Sequence, residues 1–114
     1  MELLTIEQTN EDLLELALLG DKSAQLTLSD RYENGVGAEV SFVKAYAWAY
    51  AFEPYLDNKF LKRITNRISC SVELNLARVF AIKLSAILTN IVGSKPNSKL
   101  VQQYQDLLAP FELG

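Results

Sequence analysis

The chain of 114 residues contains no histidine and a single cysteine, Cys70. Without histidine it lacks the side chain that most often serves as a catalytic base near neutral pH and as a metal ligand. A lone cysteine cannot close an internal disulfide or build a thiolate metal site. With no histidine to activate it, Cys70 reads as a small packed residue rather than a nucleophile. No apolar run reaches the length of a membrane span, so no membrane partner is expected. The acidic start, MELLTIEQTNEDLLEL, lacks the basic segment of a secretory signal, and a cytoplasmic location is the default expectation. Only three prolines and five glycines are present, so each reads as punctuation between elements.

What is present is a folded composition. Hydrophobic residues make up 49% and charged residues 22%, which suits one domain over residues 1–114 with a core of its own. The net charge of −3 is unevenly spread. Residues 1–39 carry nine acids and two bases, residues 40–100 nine bases and three acids, and residues 101–114 two acids. Either the two larger segments pack together and partly neutralise each other, or the molecule has an acidic and a basic face.

Apolar spacing predicts helices and no strand. A first helix is expected over about Glu11–Leu19, capped by Thr9 or Asn10, with Leu13, Leu14, Ala17 and Leu18 as its stripe. A second runs over about Lys22–Glu33 behind the cap Asp21, with Ala24, Leu28 and Tyr32 on one face. Gly35 and Gly37 end it. A third runs from the cap Ser41 to Glu53 and stops before Pro54. Residues 57–68 form a fourth, capped by Asp57, with Phe60, Leu61, Ile64 and Ile68 facing inward and Lys59, Lys62, Arg63 and Arg67 outside. After Ser69-Cys70-Ser71 a long helix extends to about Asn90. Its apolar surface (Leu74, Ala77, Val79, Phe80, Leu84, Ile87, Leu88, Ile91) is broader than a one-sided stripe, so it is central in the core or meets another molecule. The breaker run Gly93–Ser98 precedes a last helix, Lys99–Leu108, with Leu100, Tyr104, Leu107 and Leu108 apolar, and a tail after Pro110. The fold class is all-α, a stack of α/α hairpins with about five to six helices.

The ordered set Ala17, Gly20, Ala24, Leu28, Tyr32, Gly35, Gly37, Lys44, Ala45 and Trp48 resembles a Sel1-like repeat, a relative of the tetratricopeptide repeat; KAYAWAYA (Lys44–Ala51) is especially similar. The resemblance covers about 17–53 and assigns structural roles to Ala24, Leu28, Tyr32, Gly35, Gly37, Ala45 and Trp48. There are departures: Ser29 stands for a glycine, Ala38 for a valine, Phe52 and Glu53 for alanines, and no aspartate precedes Lys44. No second such pattern follows Pro54. Arg63 to Ala81 loosely fits the segment that often follows the last repeat, so residues 57–109 are expected to cap the stack, unless a second copy of the chain does so as a homodimer.

The resemblance implies protein–protein interaction, as an adaptor, regulator or assembly factor that holds a partner protein or peptide. Its concave face would come from Lys22–Glu33, making Lys22, Gln25 and Ser29 the first contact candidates and Tyr46 and Tyr50 the second. Six aromatics fall between Phe42 and Tyr55. Trp48 and Phe52 share one helical row and Phe42, Tyr46 and Tyr50 the opposite one, so either one row is a binding surface or both are buried. An alternative is a small inhibitor or immunity-type protein whose acids Glu7, Glu11 and Glu15 steer it to one target. A third is nucleic-acid binding through Lys59, Lys62, Arg63 and Arg67; a short stripe without interleaved aromatics on an acidic chain argues against it. No enzyme and no cofactor is expected. Gly35-Val36-Gly37 follows a helix and lacks the third glycine and the lysine of a phosphate loop.

Overall fold

Side-chain caps start four of the five long helices. The computed structural model describes residues 9–55, 57–89 and 102–108. Helix α1 (Asn10–Leu18) begins where the Thr9 side chain accepts from the Asp12 N–H, and α2 (Lys22–Asn34) where Asp21 accepts from the Ala24 N–H. Helix α3 (Phe42–Phe52) begins at Ser41, which accepts from the Lys44 N–H. Each cap satisfies a backbone donor that the helix itself leaves open. The cap of α4 (Lys59–Arg67) is Asn58 and not Asp57. Its Oδ1 accepts from the N–H groups of Phe60 and Leu61, while its Nδ2 donates to the carbonyls of Ala49 and Glu53 at 3.0 and 2.9 Å. An aspartate has no donor for those carbonyls. Helix α5 spans Ser71–Thr89, and residues 102–108 form a further helical segment. No strand occurs among the described residues.

The helices stack as antiparallel hairpins. Lys22 Nζ donates to the Ala51 carbonyl, Ser29 Oγ to that of Ala45, and the Ser41 N–H to that of Tyr32. Those partners run in opposite chain directions, so α2 and α3 are antiparallel. The same holds for α1 and α2, joined by Gln25 to Ala17 and Arg31 to Asn10, and for α3 and α4, joined by Phe52 to Phe60 and Phe42 to Arg67. Val43 and Lys44 share a cleft with Val72, Glu73 and Leu76. Tyr46 and Tyr50 share another with Arg78, Ala81 and Ile82. Helix α5 therefore lies beside α3 in the same direction. The fold is an all-α stack.

Helix α3 is the centre. Ala45, Ala47 and Ala49 are fully buried and let the neighbouring axes approach closely. Trp48 fills the space between them, 0% exposed, and its Nε1 donates to the Tyr104 hydroxyl at 3.2 Å. Tyr104 also faces Phe80 with ring centres 6.2 Å apart, so segment 102–108 is tied to both α3 and α5. The turn into α3 uses left-handed backbone at Gly35 and Gly37, with φ of 72° and 74°, where a Cβ is disfavoured. Asn10 packs over that turn. Its Nδ2 donates to the Val36 carbonyl and its Oδ1 accepts from Arg31, and a Cβ on Gly37 would stand 3.1 Å from Nδ2. The sequence expectations for Glu7, Asn90, Ile91, the turn Gly93–Ser98, Leu100 and the tail after Pro110 lie outside the described residues.

Candidate protein-interaction surface

Three of the five contact candidates are buried. Gln25 faces α1, where its Nε2 donates to the Ala17 carbonyl at 3.0 Å; Ser29 faces α3, where its Oγ donates to Ala45 at 2.8 Å. The reason is the position of α2 between α1 and α3, which leaves it two covered faces and little free surface. Tyr46 is buried between α3, α4 and α5. Lys22 is exposed, but its ammonium lies 3.3 Å from the Ala51 carbonyl at the C-terminal end of α3, where a cation complements the helix dipole. Tyr50 is half-buried at the edge of a cleft. Of the other singled-out residues, Ala24, Leu28, Ala45 and Trp48 are core. Tyr32 is half-buried with the Lys44 ammonium 5.3 Å from its ring centre.

Neither aromatic row of α3 is open. Phe52 meets Phe60 edge-on at 5.9 Å, and Phe42 lies under the Arg67 guanidinium at 5.0 Å. Cys70 is exposed in the link before α5 rather than packed.

Two of the four basic residues of α4 are held by an acid. Arg63 Nη2 and Arg67 Nη1 reach the two carboxylate oxygens of Glu33 at 2.7 and 3.0 Å. Arg63 stacks on Phe60 as well, at 5.6 Å. Glu33 is only 3% exposed. Burial alone would raise its pKa, but the hydrogen bonds and charge of the two arginines outweigh that and hold it below the usual carboxylate range. This contact ties α2 to α4, and through the Arg67–Phe42 contact to α3; it neutralises one acid of the 1–39 segment with two bases of the 40–100 segment. One sequence signal points to it. Glu33 lies in the last turn of its helix, the end at which the dipole disfavours an acid, so a cationic partner is needed.

The surface left open belongs to α5. Its inner side supplies Ala77, Phe80, Ala81 and Leu84 to the core. On its outer side Val72, Leu76, Val79 and Ile82 are 64, 44, 44 and 63% exposed. Val79, expected within the broad apolar face, thus lies on its uncovered part. These residues follow helical spacing, so they form one stripe. Two clefts flank it. One of about 450 Å³ is lined by Val40, Val43, Val72, Leu76 and Phe80 together with Ser41, Lys44, Cys70 and Glu73. Another of about 400 Å³ lies between Tyr46, Tyr50, Arg78, Ala81 and Ile82. Contiguous exposed apolar surface of this kind marks an interaction site more often than scattered single residues do.

Among the described residues no three Cys, Asp or Glu side chains converge as metal ligands would, and no helix is long and apolar enough to cross a membrane. Comparison with protein-family models, with curated proteins and with solved structures gives no match.

Proposed function

We propose that this chain is a cytoplasmic protein–protein interaction module, an adaptor, regulator or assembly factor, whose α2–α3 hairpin is a Sel1-like repeat. Support for the repeat comes from the ordered set Ala17 to Trp48 and from the left-handed glycines at the turn between the two helices. The observation that carries the interaction reading is the outer stripe of α5, four large apolar side chains left in solvent on one side of a 19-residue helix. The contact surface is therefore assigned to α5 and the α3–α5 clefts, and not to α2.

A photo-reactive residue in place of Val79, in the chain expressed in cells, tests this reading. A discrete cross-linked adduct from position 79, and none from position 12 on the far helix α1, is the expected result. No adduct from position 79 would count against it.

The inhibitor reading keeps one supporting observation: Glu11, Asp12 and Glu15 are exposed on α1. If they steer encounter, Glu11→Gln with Glu15→Gln slows association with the target at low salt; an unchanged rate would dismiss the idea. The nucleic-acid reading is weakened, because Arg63 and Arg67 are already held by Glu33.

A further inference from the structure

The cleft beside Tyr50 continues into a second one of about 260 Å³, lined by Tyr46, Leu61, Lys62, Thr65, Asn66 and Arg78. Tyr46 and Arg78 are the wall common to both. The trough thus runs from an apolar end, Tyr50, Ala81 and Ile82, past Arg78 to Lys62. Among the described lining residues it contains two cations and no acid. Neither the Arg78 nor the Lys62 side chain makes an ion pair or hydrogen bond with a described residue, whereas Arg63 and Arg67 on α4 are both engaged. Residues 59–89 as a whole carry six bases and one acid.

Resting on the interaction reading above, we infer that this trough binds an acidic peptide segment of another protein. A large apolar side chain enters between Tyr50 and Ile82, and carboxylates next to it meet Arg78 and Lys62. Charge selects this occupant over a second copy. Two copies joined through this face would bring Arg78, Lys62 and Lys83 against their own kind, which is repulsive. The acidic helix α1 of another copy would match in charge, but its own exposed side chains, Glu11, Asp12 and Glu15, are all polar, and the exposed large apolar residues near it among the described residues, Leu19 and Val36, lie outside the helix. A nucleic acid would satisfy the cations, but Ala81 and Ile82 at the apolar end are aliphatic and offer a base no ring to stack on.

The test is selection of random short peptides displayed against the full chain. Synthetic versions of the winners are then titrated by fluorescence anisotropy against the wild type, Arg78→Glu, Ile82→Asp and the control Lys59→Glu. All three sites are exposed, and circular dichroism confirms that each variant keeps its helices. The expected winners join Asp or Glu to Leu, Phe or Trp. Arg78→Glu and Ile82→Asp should each weaken them by about tenfold or more, and Lys59→Glu by less than about twofold.

Winners that are neutral or basic, or that ignore both trough variants, would overturn the inference while leaving an interaction module with its site elsewhere. No enrichment at all would count against both. Light scattering that shows a dimer which Ile82→Asp dissociates would overturn it in favour of a second copy. Tighter binding of a single-stranded oligonucleotide than of any peptide, abolished by Arg78→Glu, would overturn it in favour of nucleic acid.

Discussion

Helices α3 and α5 have the most apolar sequences among the five long helices, yet their surroundings differ. Helix α3 is closed in by α2, α4 and α5, and none of its residues is exposed. Helix α5 is longer and covered on one side; Val72, Leu76, Val79 and Ile82 meet solvent on the other. An apolar helix belongs at the centre of a fold or at an interface; α3 takes the centre, while α5 leaves those four side chains in solvent beside the exposed Asn75, Arg78 and Lys83. The same residue types therefore have different consequences. In α3 they build the core, and in α5 four of them are left in contact with solvent.

The contrast predicts a ladder of mutational effects. Trp48→Ala should be the most damaging, because it leaves a cavity at the centre of α3 and removes the Nε1 donor that the Tyr104 hydroxyl accepts from. Such losses run to about 3–5 kcal/mol, a large part of the about 5–15 kcal/mol that holds a domain together. Chemical denaturation should show the midpoint collapse or the chain unfolded in buffer. A loss comparable to that of an exposed substitution would break the contrast.

Overpacking comes next. Ala45 is fully buried against its neighbours, and its carbonyl accepts from the Ser29 hydroxyl. Ala45→Leu should destabilise by about 1–3 kcal/mol because α2 cannot retreat without breaking that bond. A neutral effect in thermal unfolding would mean that the α2–α3 contact is looser than described.

Glu33 ranks third. Its hydrogen bonds are charge-assisted, but both arginines are about half exposed and regain water when released. Glu33→Gln should therefore lose only about 1–2 kcal/mol at neutral pH. The folded carboxyl binds its proton less readily than the unfolded one. Its contribution is thus complete above the ordinary value of 4.5 and disappears as pH falls through the lower, folded value. The acid limb of the stability curve should be shallower in Glu33→Gln than in the wild type, as read by denaturation at a series of pH values. Parallel limbs would show that Glu33 is not the group responsible.

Much of this ladder was legible in the residues, and the illegible part has a common cause. Helix ends came from local chemistry. Thr9, Asp21 and Ser41 act as caps, and Gly35 ends α2 in left-handed backbone, because each needs only its near neighbours in the chain. The errors concern what lies on the other side of a helix. Gln25 and Ser29 are polar and fall off the Ala24–Leu28–Tyr32 face, so they read as contact residues on the concave face that the resemblance implies. In the folded chain α1 and α3 cover α2 from two sides. Glu33 is about thirty residues from its arginines, and no helical spacing connects them. Asp57 and Asn58 both suit a cap. Only the carbonyls of Ala49 and Glu53, which demand a donor, select the amide. The breadth of the α5 apolar surface was visible in the sequence; which part of it stays uncovered depends on the fold.

The measurement that bears most directly on the difference between α3 and α5 is denaturant unfolding of one chain carrying Val72→Ser, Leu76→Gln, Val79→Thr and Ile82→Gln together. If the stripe is a free surface, the four changes should leave the unfolding free energy within about 2 kcal/mol of the wild type, since exposed substitutions usually stay within about 0.5 kcal/mol each. A loss of several kcal/mol, similar to that of Trp48→Ala, would mean that the outer side of α5 is covered in the folded protein, and would contradict its assignment as the surface left for a partner.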